Sequence, residues 1–126
     1  MWREDKTMAY KNSLITGITD LLVLYILKEK GDSYVYDISN YITKTSDSLL
    51  PISHNTIYTV TYKLEEANMI SEYSKLVGRK RTRVYYHIEP AGEEYLNRLL
   101  TTYANMTTGV SRIFDALKEK GDDTNE

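Results

Sequence analysis

Cysteine is absent from the 126 residues of this chain, and histidine occurs only twice, as His54 and His87. The absence of cysteine excludes disulfide bonds, thiolate metal sites and cysteine nucleophiles. Two histidines are too few for a metal cluster and are more simply surface groups. The sequence therefore predicts neither a metal nor another cofactor.

Long hydrophobic runs are also missing. The longest apolar stretch covers only residues 21–27, which is too short to span a bilayer. The N-terminal residues, MWREDKTMAYK, are charged and contain no apolar signal core. With 41% hydrophobic and 27% charged residues, the composition is that of a globular protein, and we expect a cytoplasmic location.

The net charge is small, at −2, but the charges are unevenly distributed. Five basic residues lie between Lys75 and Arg83, and residues 73–88 contain no acid. Acidic residues cluster elsewhere, at Glu65-Glu66, at Glu93-Glu94 and from Asp115 to Glu126. A basic patch on an acidic body suits a sequence-specific DNA-binding protein, because it keeps non-specific affinity low.

Apolar residues at steps of three and four predict three helices before the basic run. The first covers Leu14 to Lys30, with Gly31 as its stop. Ser33 is expected to cap the second helix. The third is expected to begin at Ser53, as its N-cap, and to end near Asn68.

The third helix has an apolar and a polar side. The residues expected to be buried are Ile57, Val60, Leu64 and Ala67, with Tyr58 as a further candidate. The opposite side presents Asn55, Thr56, Thr59, Thr61, Tyr62 and Lys63. No acidic residue occurs between Asp47 and Glu65, so this side can approach phosphate groups without repulsion.

The basic run has the composition of a two-stranded hairpin. Val, Tyr, Ile and Thr residues lie on both sides of a turn at Gly78-Arg79-Lys80. A short helix followed by a cationic hairpin is the arrangement of a winged helix-turn-helix, whose hairpin is the wing. The predicted fold is therefore mostly α with a small two-stranded β wing.

A long regular helix is predicted after Pro90. Its apolar residues follow steps of three and four, as in a coiled-coil seam. Because a domain of this size leaves such a seam uncovered, we expect a homodimer. The expected interface residues are Leu96, Leu99, Tyr103, Met106, Val110, Ile113, Phe114 and Leu117. The predicted divisions are a DNA-binding domain at 1–90, a dimerisation helix at 91–120 and a flexible acidic tail at 121–126.

Several segments resemble the signature of PadR-like transcriptional regulators. The third helix contains Ser53-His54-Asn55-Thr56-Ile57-Tyr58, followed by Lys63-Leu64-Glu65-Glu66 and Met69-Ile70. The hairpin ends in Arg83-Val84-Tyr85-Tyr86-His87-Ile88-Glu89-Pro90-Ala91-Gly92, similar to the family's paired-tyrosine strand and the helix start after it. Tyr36-Asp37-Ile38 resembles the family's Gly-Tyr-Glu-Ile element. The resemblance extends from Leu14 to Leu100.

The chain departs from the family pattern mainly at the turn expected to face DNA. His54-Asn55 stand where the family usually has Pro-Gly, and Thr59 stands where proline is frequent. Val35 replaces the glycine before the second-helix tyrosine. Drug-binding members of the family have tryptophans in the long helix, whereas the single tryptophan of this chain is Trp2. These departures leave the fold unaffected but prevent a prediction of the operator sequence.

The resemblance and the residue pattern together imply a transcriptional regulator, a dimeric repressor that binds an inverted-repeat operator in double-stranded DNA. Three polar residues of the third helix are expected at base edges, and the wing is expected on the flanking backbone or minor groove. The resemblance places Tyr36 and Tyr58 near the DNA backbone. The expected DNA-binding residues are Tyr36, Lys44, Ser53, Asn55, Thr56, Tyr58, Thr59, Lys63, Arg79, Lys80, Arg81 and Arg83.

The main alternative is a winged-helix module that binds another protein through the same helices, because a charged hairpin can be merely solvated surface. An enzyme is not expected. Ser53 has no histidine–carboxylate partners at catalytic spacing, and no glycine-rich phosphate loop occurs. Glu65-Glu66 and Glu93-Glu94 are more simply solvated helix faces than catalytic pairs.

A small aromatic effector is a further candidate partner that the resemblance suggests. Tyr95, Tyr103, Met106 and Phe114 could line its site. Their helical spacing fits packing within an interface equally well, and this second interpretation is the one we favour.

Overall fold

The computed structural model describes the backbone of residues 2–124 and the side chains of residues 14–120 except Thr16. In this part of the chain four helices and two strands follow one another. They are α1 (Trp2–Glu29), α2 (Val35–Thr45), α3 (His54–Glu66), β1 (Ile70–Val77), β2 (Arg81–Ile88) and α4 (Pro90–Thr124). The two strands form an antiparallel sheet. The predicted class, mostly α with a small β wing, is confirmed.

Helix α1 begins at Trp2, well before the start predicted at Leu14. Residues 2–13 contain no glycine or proline that would interrupt a helix, but they also lack the apolar repeat from which the start was predicted. Near its other end, Val23, Leu24 and Leu27 are almost completely buried. The helix ends at Glu29, and Gly31 follows with a φ of 105°, as expected of a stop.

The prediction that Ser33 caps α2 is wrong. The N-cap is Tyr34, which has extended backbone and makes no capping hydrogen bond through its side chain. Ser33 is buried, its hydroxyl donates to the carbonyl of Gly31 at 2.9 Å, and its backbone pairs with Tyr86 of β2. This residue therefore joins the segment between α1 and α2 to the sheet.

The predicted ends of α3 are confirmed by their geometry. Ser53 is the N-cap, and its hydroxyl oxygen accepts a hydrogen bond from the backbone N–H of Thr56 at 3.2 Å. After the C-cap residue Ala67, Asn68 adopts a left-handed conformation with a φ of 61°, which ends the helix.

The sides of α3 agree with the prediction except at Thr61, at Ala67 and at Tyr58, a candidate for the buried side whose ring is exposed. Ile57, Val60 and Leu64 are buried, as expected. Thr61 was expected on the exposed side but is buried, because its hydroxyl donates to the Tyr58 carbonyl at 3.0 Å and so needs no water. Ala67 was expected inside but is exposed at the C-cap.

The hairpin has a buried base and an exposed tip. Strand β1 pairs with β2 from Ile70 opposite Ile88 to Val77 opposite Arg81. At the base, Ile70, Tyr86 and Ile88 are buried. The chain reverses at Gly78, whose φ of 72° is readily adopted by glycine. The predicted wing is thus present with the predicted turn.

The chain divides into two compact units, Met1–Leu96 and Asn97–Glu126. In the first unit, helices α1, α2 and α3 pack with the base of the hairpin around one hydrophobic core. Its most deeply buried residues include Leu24, Leu27, Ile38, Ile57, Leu64, Ile70 and Leu96.

The second unit consists of the rest of α4, which continues as helix to Thr124. Its larger apolar side chains are exposed along one seam from Tyr103 to Leu117. The acidic tail predicted from Gly121 falls on residues whose side chains lie outside the described ones, and it remains a prediction.

Candidate nucleic-acid interface

Helix α3 presents a polar face to solvent, formed by Asn55, Tyr58, Thr59 and Tyr62. Tyr58 is 56% exposed and Tyr62 is 70% exposed, so neither ring belongs to the core. The side chain of Asn55, which carries an amide, is exposed, and the hydroxyl of Thr59 donates to the backbone carbonyl of Asn55 at 3.0 Å. These side chains offer the amide and hydroxyl groups that recognise base edges.

The N-terminus of α3 is favourable for a negatively charged ligand. No acidic residue occurs in the first turn, and the free N–H groups carry partial positive charge. The ring of His54, the first residue of the helix, lies 5.0 Å from the ring of Tyr36 on α2, with 50° between the planes. Tyr36 is 58% exposed. The structure therefore brings Tyr36 to the start of α3, although 17 residues separate it from Ser53 in the sequence.

The two expected phosphate-binding lysines have different surroundings. Lys44 is exposed in the last turn of α2. Lys63 forms an ion pair with Asp20 of α1 at 2.9 Å, yet its side chain remains 62% exposed. The Asp20 carboxylate is only 13% exposed, so moving Lys63 to a phosphate would leave this carboxylate without its partner, and Lys63 is less available to DNA than Lys44.

The tip of the wing is an uncompensated cationic surface. Arg79, Lys80 and Arg81 are exposed at the turn of the hairpin. Among the described residues none of the three forms an ion pair with an acidic side chain. Their positive charges are therefore available to an anionic partner.

Arg83, also expected to bind DNA, has a different environment. It is partly buried, and its guanidinium carbon lies 4.3 Å above the ring of Tyr34. Lys75, the partner of Arg83 across the sheet, lies 5.6 Å from the ring of Tyr85. Arg83 contributes to packing of the wing, because cation–π contact holds its guanidinium against the Tyr34 ring, whereas Lys75 remains exposed.

The base of the wing is attached to residues 30–34, the connector between α1 and α2. Ser33 and Tyr86 exchange two backbone hydrogen bonds, with N–O distances of 3.3 and 2.9 Å. Oδ1 of Asp32 lies 2.8 Å from Nδ1 of His87, and the hydroxyl of Tyr73 donates to Oδ2 of Asp32 at 2.8 Å. The rings of Tyr34 and Tyr85 meet edge to face at 5.5 Å.

The ionisation of Asp32 and His87 reflects this contact. Burial alone would raise the pKa of Asp32, but hydrogen bonds with His87 and Tyr73 outweigh it and lower the pKa below 3.8. The hydrogen bond with Asp32 raises the pKa of His87 above 6.5, against a smaller effect of burial. Sequence analysis missed this group, because 41 and 55 residues separate Asp32 from its two partners.

A cleft of about 450 Å³ separates α3 from the hairpin. Its walls include Tyr58 and Tyr62 of α3, and Tyr86 closes one side from β2. Glu65 and Glu72 face each other across it, within hydrogen-bonding reach. Burial, together with the charge of Glu72, raises the pKa of Glu65. Glu65 is therefore not the freely solvated carboxylate that the sequence indicated.

A second cavity, of about 560 Å³, lies between α1 and α2. Its lining is mainly apolar and aromatic and includes Leu22, Tyr25, Tyr41 and Leu50. Both tyrosines are more than 40% exposed. This groove forms an apolar surface on the first unit, separate from the polar face of α3.

Taken together, three packed helices, a polar face on the third and a cationic hairpin after it define a winged helix-turn-helix. Residues 23–98, more than half of the chain, match the model of the family described as "Transcriptional regulator PadR-like family". The chain belongs to this family. Its members are transcriptional regulators and not enzymes, which confirms both the resemblance and the expectation that no catalytic activity is present.

Solved structures of similar chains agree with this assignment. A transcriptional regulator from Clostridium thermocellum is 29% identical, with a TM-score of 0.74 over 79% of this chain and 96% of that one. A PadR family regulator from Eggerthella lenta is 24% identical, with a TM-score of 0.73 over 90% and 96% of the two chains. PadR of Bacillus subtilis, crystallised in complex with operator DNA, is 24% identical, with a TM-score of 0.61 over 66% and 46%. At 24% identity, the last two show a shared fold.

The residues described show no cluster of metal ligands and no membrane-spanning helix. No group of three or more histidine, cysteine, aspartate or glutamate side chains within this part of the chain could hold a metal ion. None of its helices is long and apolar enough to cross a membrane.

Proposed function

We propose that this chain is a cytoplasmic, dimeric transcriptional repressor that binds an inverted-repeat operator through α3 and the wing. The observation that carries the proposal is the polar face of α3 flanked by the uncompensated cations of the wing tip. In a family of transcriptional regulators, this combination suits a helix in the major groove and a wing on the neighbouring backbone. The Bacillus subtilis relative was crystallised with operator DNA, which supports the same use of the fold.

The exposed groups suggest a division of roles on the DNA. Asn55 and Thr59, whose side chains are exposed on α3, would meet base edges, together with Thr56 at the helix start. The positioning contacts to phosphates come from groups around that face: Tyr36, Lys44, Tyr58 and Lys63. Ser53 contributes as the cap that holds the first turn in place.

The wing tip supplies the remaining phosphate contacts, through Arg79, Lys80 and Arg81. Arg83 contributes less directly, because its guanidinium is held against Tyr34. Of the four wing residues expected to bind DNA, we therefore retain the three exposed cations as direct contacts and assign Arg83 to the support of the wing.

Dimerisation is proposed from the exposed seam of α4. Phe114 is 67% exposed, Leu117 64% and Ile113 59%, within the second unit of the chain. A helix with such an uncovered apolar seam is stabilised by packing, and an identical helix of a second copy is the simplest partner. Leu96 is completely buried in the first unit of its own chain, so we leave it out of the interface.

The groove between α1 and α2 provides a second apolar surface for the partner copy. Its volume also lies in the range of small-molecule sites, roughly 300–1,000 Å³. A small aromatic effector is therefore an alternative occupant of this groove. A ligand there regulates DNA binding only if it prefers one state of the dimer over the other.

The test of DNA binding is fluorescence anisotropy with labelled duplexes from the region upstream of the chain's own gene. We expect one duplex to bind in the range of specific regulators, about 10⁻⁸ M or tighter, and unrelated duplexes at least about a thousandfold more weakly. Asn55→Ala should reduce this discrimination by about 1–3 kcal/mol, whereas Ser111→Ala, on α4, should not. Equal, weak binding to all duplexes would favour the protein-interaction module instead.

A further inference from the structure

The connector between α1 and α2 runs alongside β2 at the base of the wing. Two backbone hydrogen bonds join Ser33 to Tyr86 in an isolated antiparallel bridge. The base of the hairpin therefore has a third pairing partner, even though the sheet itself has two strands. This short segment of loop therefore helps to set the orientation of the wing, together with the packing of α1 on β2 and of α3 on β1.

Asp32, one residue before that bridge, is bonded to both strands of the wing. Its Oδ2 accepts a hydrogen bond from Tyr73 of β1, and its Oδ1 is paired with His87 of β2, each at 2.8 Å. Beyond Tyr73, residues 74–76 and the whole turn at 78–80 are exposed. Asp32 thus forms hydrogen bonds from the helical body to both strands of the hairpin. The ring of Tyr34 meets Tyr85 beside these bonds, and its cation–π contact with Arg83 lies two residues nearer the tip.

The distance from this attachment to the wing tip makes its geometry important. From Tyr73 to Gly78 an extended strand advances by about 17 Å, at roughly 3.3 Å per residue. A tilt of about 10° at the base would displace the tip by roughly 3 Å. Such a displacement is as large as a hydrogen-bond length, so it would separate the exposed arginines from the phosphates they contact.

We propose that Asp32 is a positioning residue for DNA binding, which fixes the wing through Tyr73 and His87 and makes the wing's contribution depend on pH. The inference rests on the proposed function. It assigns a role to an acidic side chain whose charge, taken alone, opposes DNA binding. The expected effect of its removal therefore has the opposite sign from simple electrostatics.

The pH dependence arises from His87 and the groups around it. Asp32 faces it from the connector, Glu89 lies 4.0 Å from its Nε2 at the end of β2, and Glu93 acts on it from α4. Tyr73 of β1 shares the same carboxylate. The pKa of His87 is raised above 6.5 mainly by the hydrogen bond with Asp32 and, to a smaller extent, by the charges of Asp32, Glu89 and Glu93. The charged hydrogen bond is present below that raised pKa and is lost as the pH rises through it.

The test compares operator affinity and its salt dependence in Asp32→Ala with the matched variant Asp37→Ala. Asp37 also forms an exposed ion pair, at 2.7 Å with Lys30, but it does not contact the wing. We expect Asp32→Ala to weaken binding about fivefold at about 0.15 M salt and to lower the salt slope by about 1, as for one lost phosphate contact. Asp37→Ala should bind as tightly as the wild type or more tightly.

A second variant separates positioning from folding. Tyr73→Phe keeps the charge of Asp32 and removes one hydrogen bond, so it should shift affinity and salt slope in the same direction by a smaller amount. Thermal unfolding followed by circular dichroism checks that each variant is folded. If Asp32→Ala unfolds, the Tyr73→Phe result decides, and unchanged binding by this variant would overturn the proposal.

The pH dependence is tested by measuring operator affinity of the wild type, His87→Gln and Asp32→Asn between about pH 6 and about pH 8. Affinity of the wild type should fall as the pH rises, and His87→Gln should remove most of this change. NMR titration without DNA should show the pKa of His87 falling towards 6.5 in Asp32→Asn. Tighter binding by Asp32→Ala with an unchanged salt slope would refute the positioning role of Asp32 and leave the proposed DNA binding intact. Absence of any operator binding by the wild type would refute the proposed function and, with it, this assignment.

Discussion

Neutralising the tip of the wing should weaken DNA binding in a way that can be calculated in advance. Arg79 and Arg81 flank Lys80 at the turn, and all three side chains are exposed. Neither arginine forms an ion pair within the described part of the chain, so the double variant Arg79→Gln/Arg81→Gln breaks no such pair in the free protein. The loss is then confined to contacts made with DNA.

The magnitude follows from counterion release. Each phosphate contact with duplex DNA contributes about 0.9 to the slope of log affinity against log salt concentration. Two lost contacts should therefore lower the slope by about 1.8. At about 0.15 M salt the same relation gives about a fivefold loss of affinity for each contact, or about 30-fold for both.

The assay is fluorescence anisotropy at four or more salt concentrations, with the operator and with an unrelated duplex. Because backbone contacts carry no sequence information, both duplexes should lose affinity by similar factors. Arg112→Gln, which removes an exposed positive charge from α4, is the matched control and should leave the slope unchanged. An unchanged slope for the double variant would show that the wing tip does not contact the DNA backbone.

Three further predictions concern the dimer, the helix cap and the carboxyl pair of the cleft. Met106→Glu/Ile113→Glu should produce monomers in analytical ultracentrifugation, because two charges would enter the apolar seam. The control Arg112→Glu should stay dimeric. A double variant that stays dimeric would exclude the seam from the interface. Ser53→Ala should lower the free energy of unfolding by about 1 kcal/mol in urea titrations, since it removes the capping hydrogen bond, and no measurable loss would mean that water replaces the cap. Glu72→Gln should lower the pKa of Glu65, because it removes the neighbouring negative charge, and should tighten DNA binding. Weaker binding would argue that the Glu72 carboxylate itself contacts DNA.

The main elements of the fold could be predicted because their signals are local. The capping serine at position 53, the left-handed asparagine at position 68 and the glycine of the wing turn act through their own backbone neighbours. The three-four spacing of Ile57, Val60 and Leu64 likewise identified the buried side of α3. Such features are set by a few adjacent residues, so the sequence alone reveals them.

The support of the wing could not be predicted, because it depends on residues distant in sequence. Ser33 has the chemistry of a helix cap, and only the position of Tyr86 shows that its backbone pairs with the sheet instead. Asp32 meets Tyr73 and His87 only after the helices and hairpin have packed. Thr61 was assigned to the wrong side because a threonine that bonds to its own helix can be buried.

The most direct test of DNA recognition by α3 and the wing uses the absence of cysteine from the chain. The single-cysteine variants Thr59→Cys and Lys80→Cys can each be labelled with a DNA-cleaving iron chelate and bound to the operator. Cleavage from Thr59→Cys should fall inside two half-sites about 34 Å apart, and cleavage from Lys80→Cys should fall in the DNA that flanks them. Cleavage from neither position, in a complex that still forms, would contradict recognition through α3 and the wing.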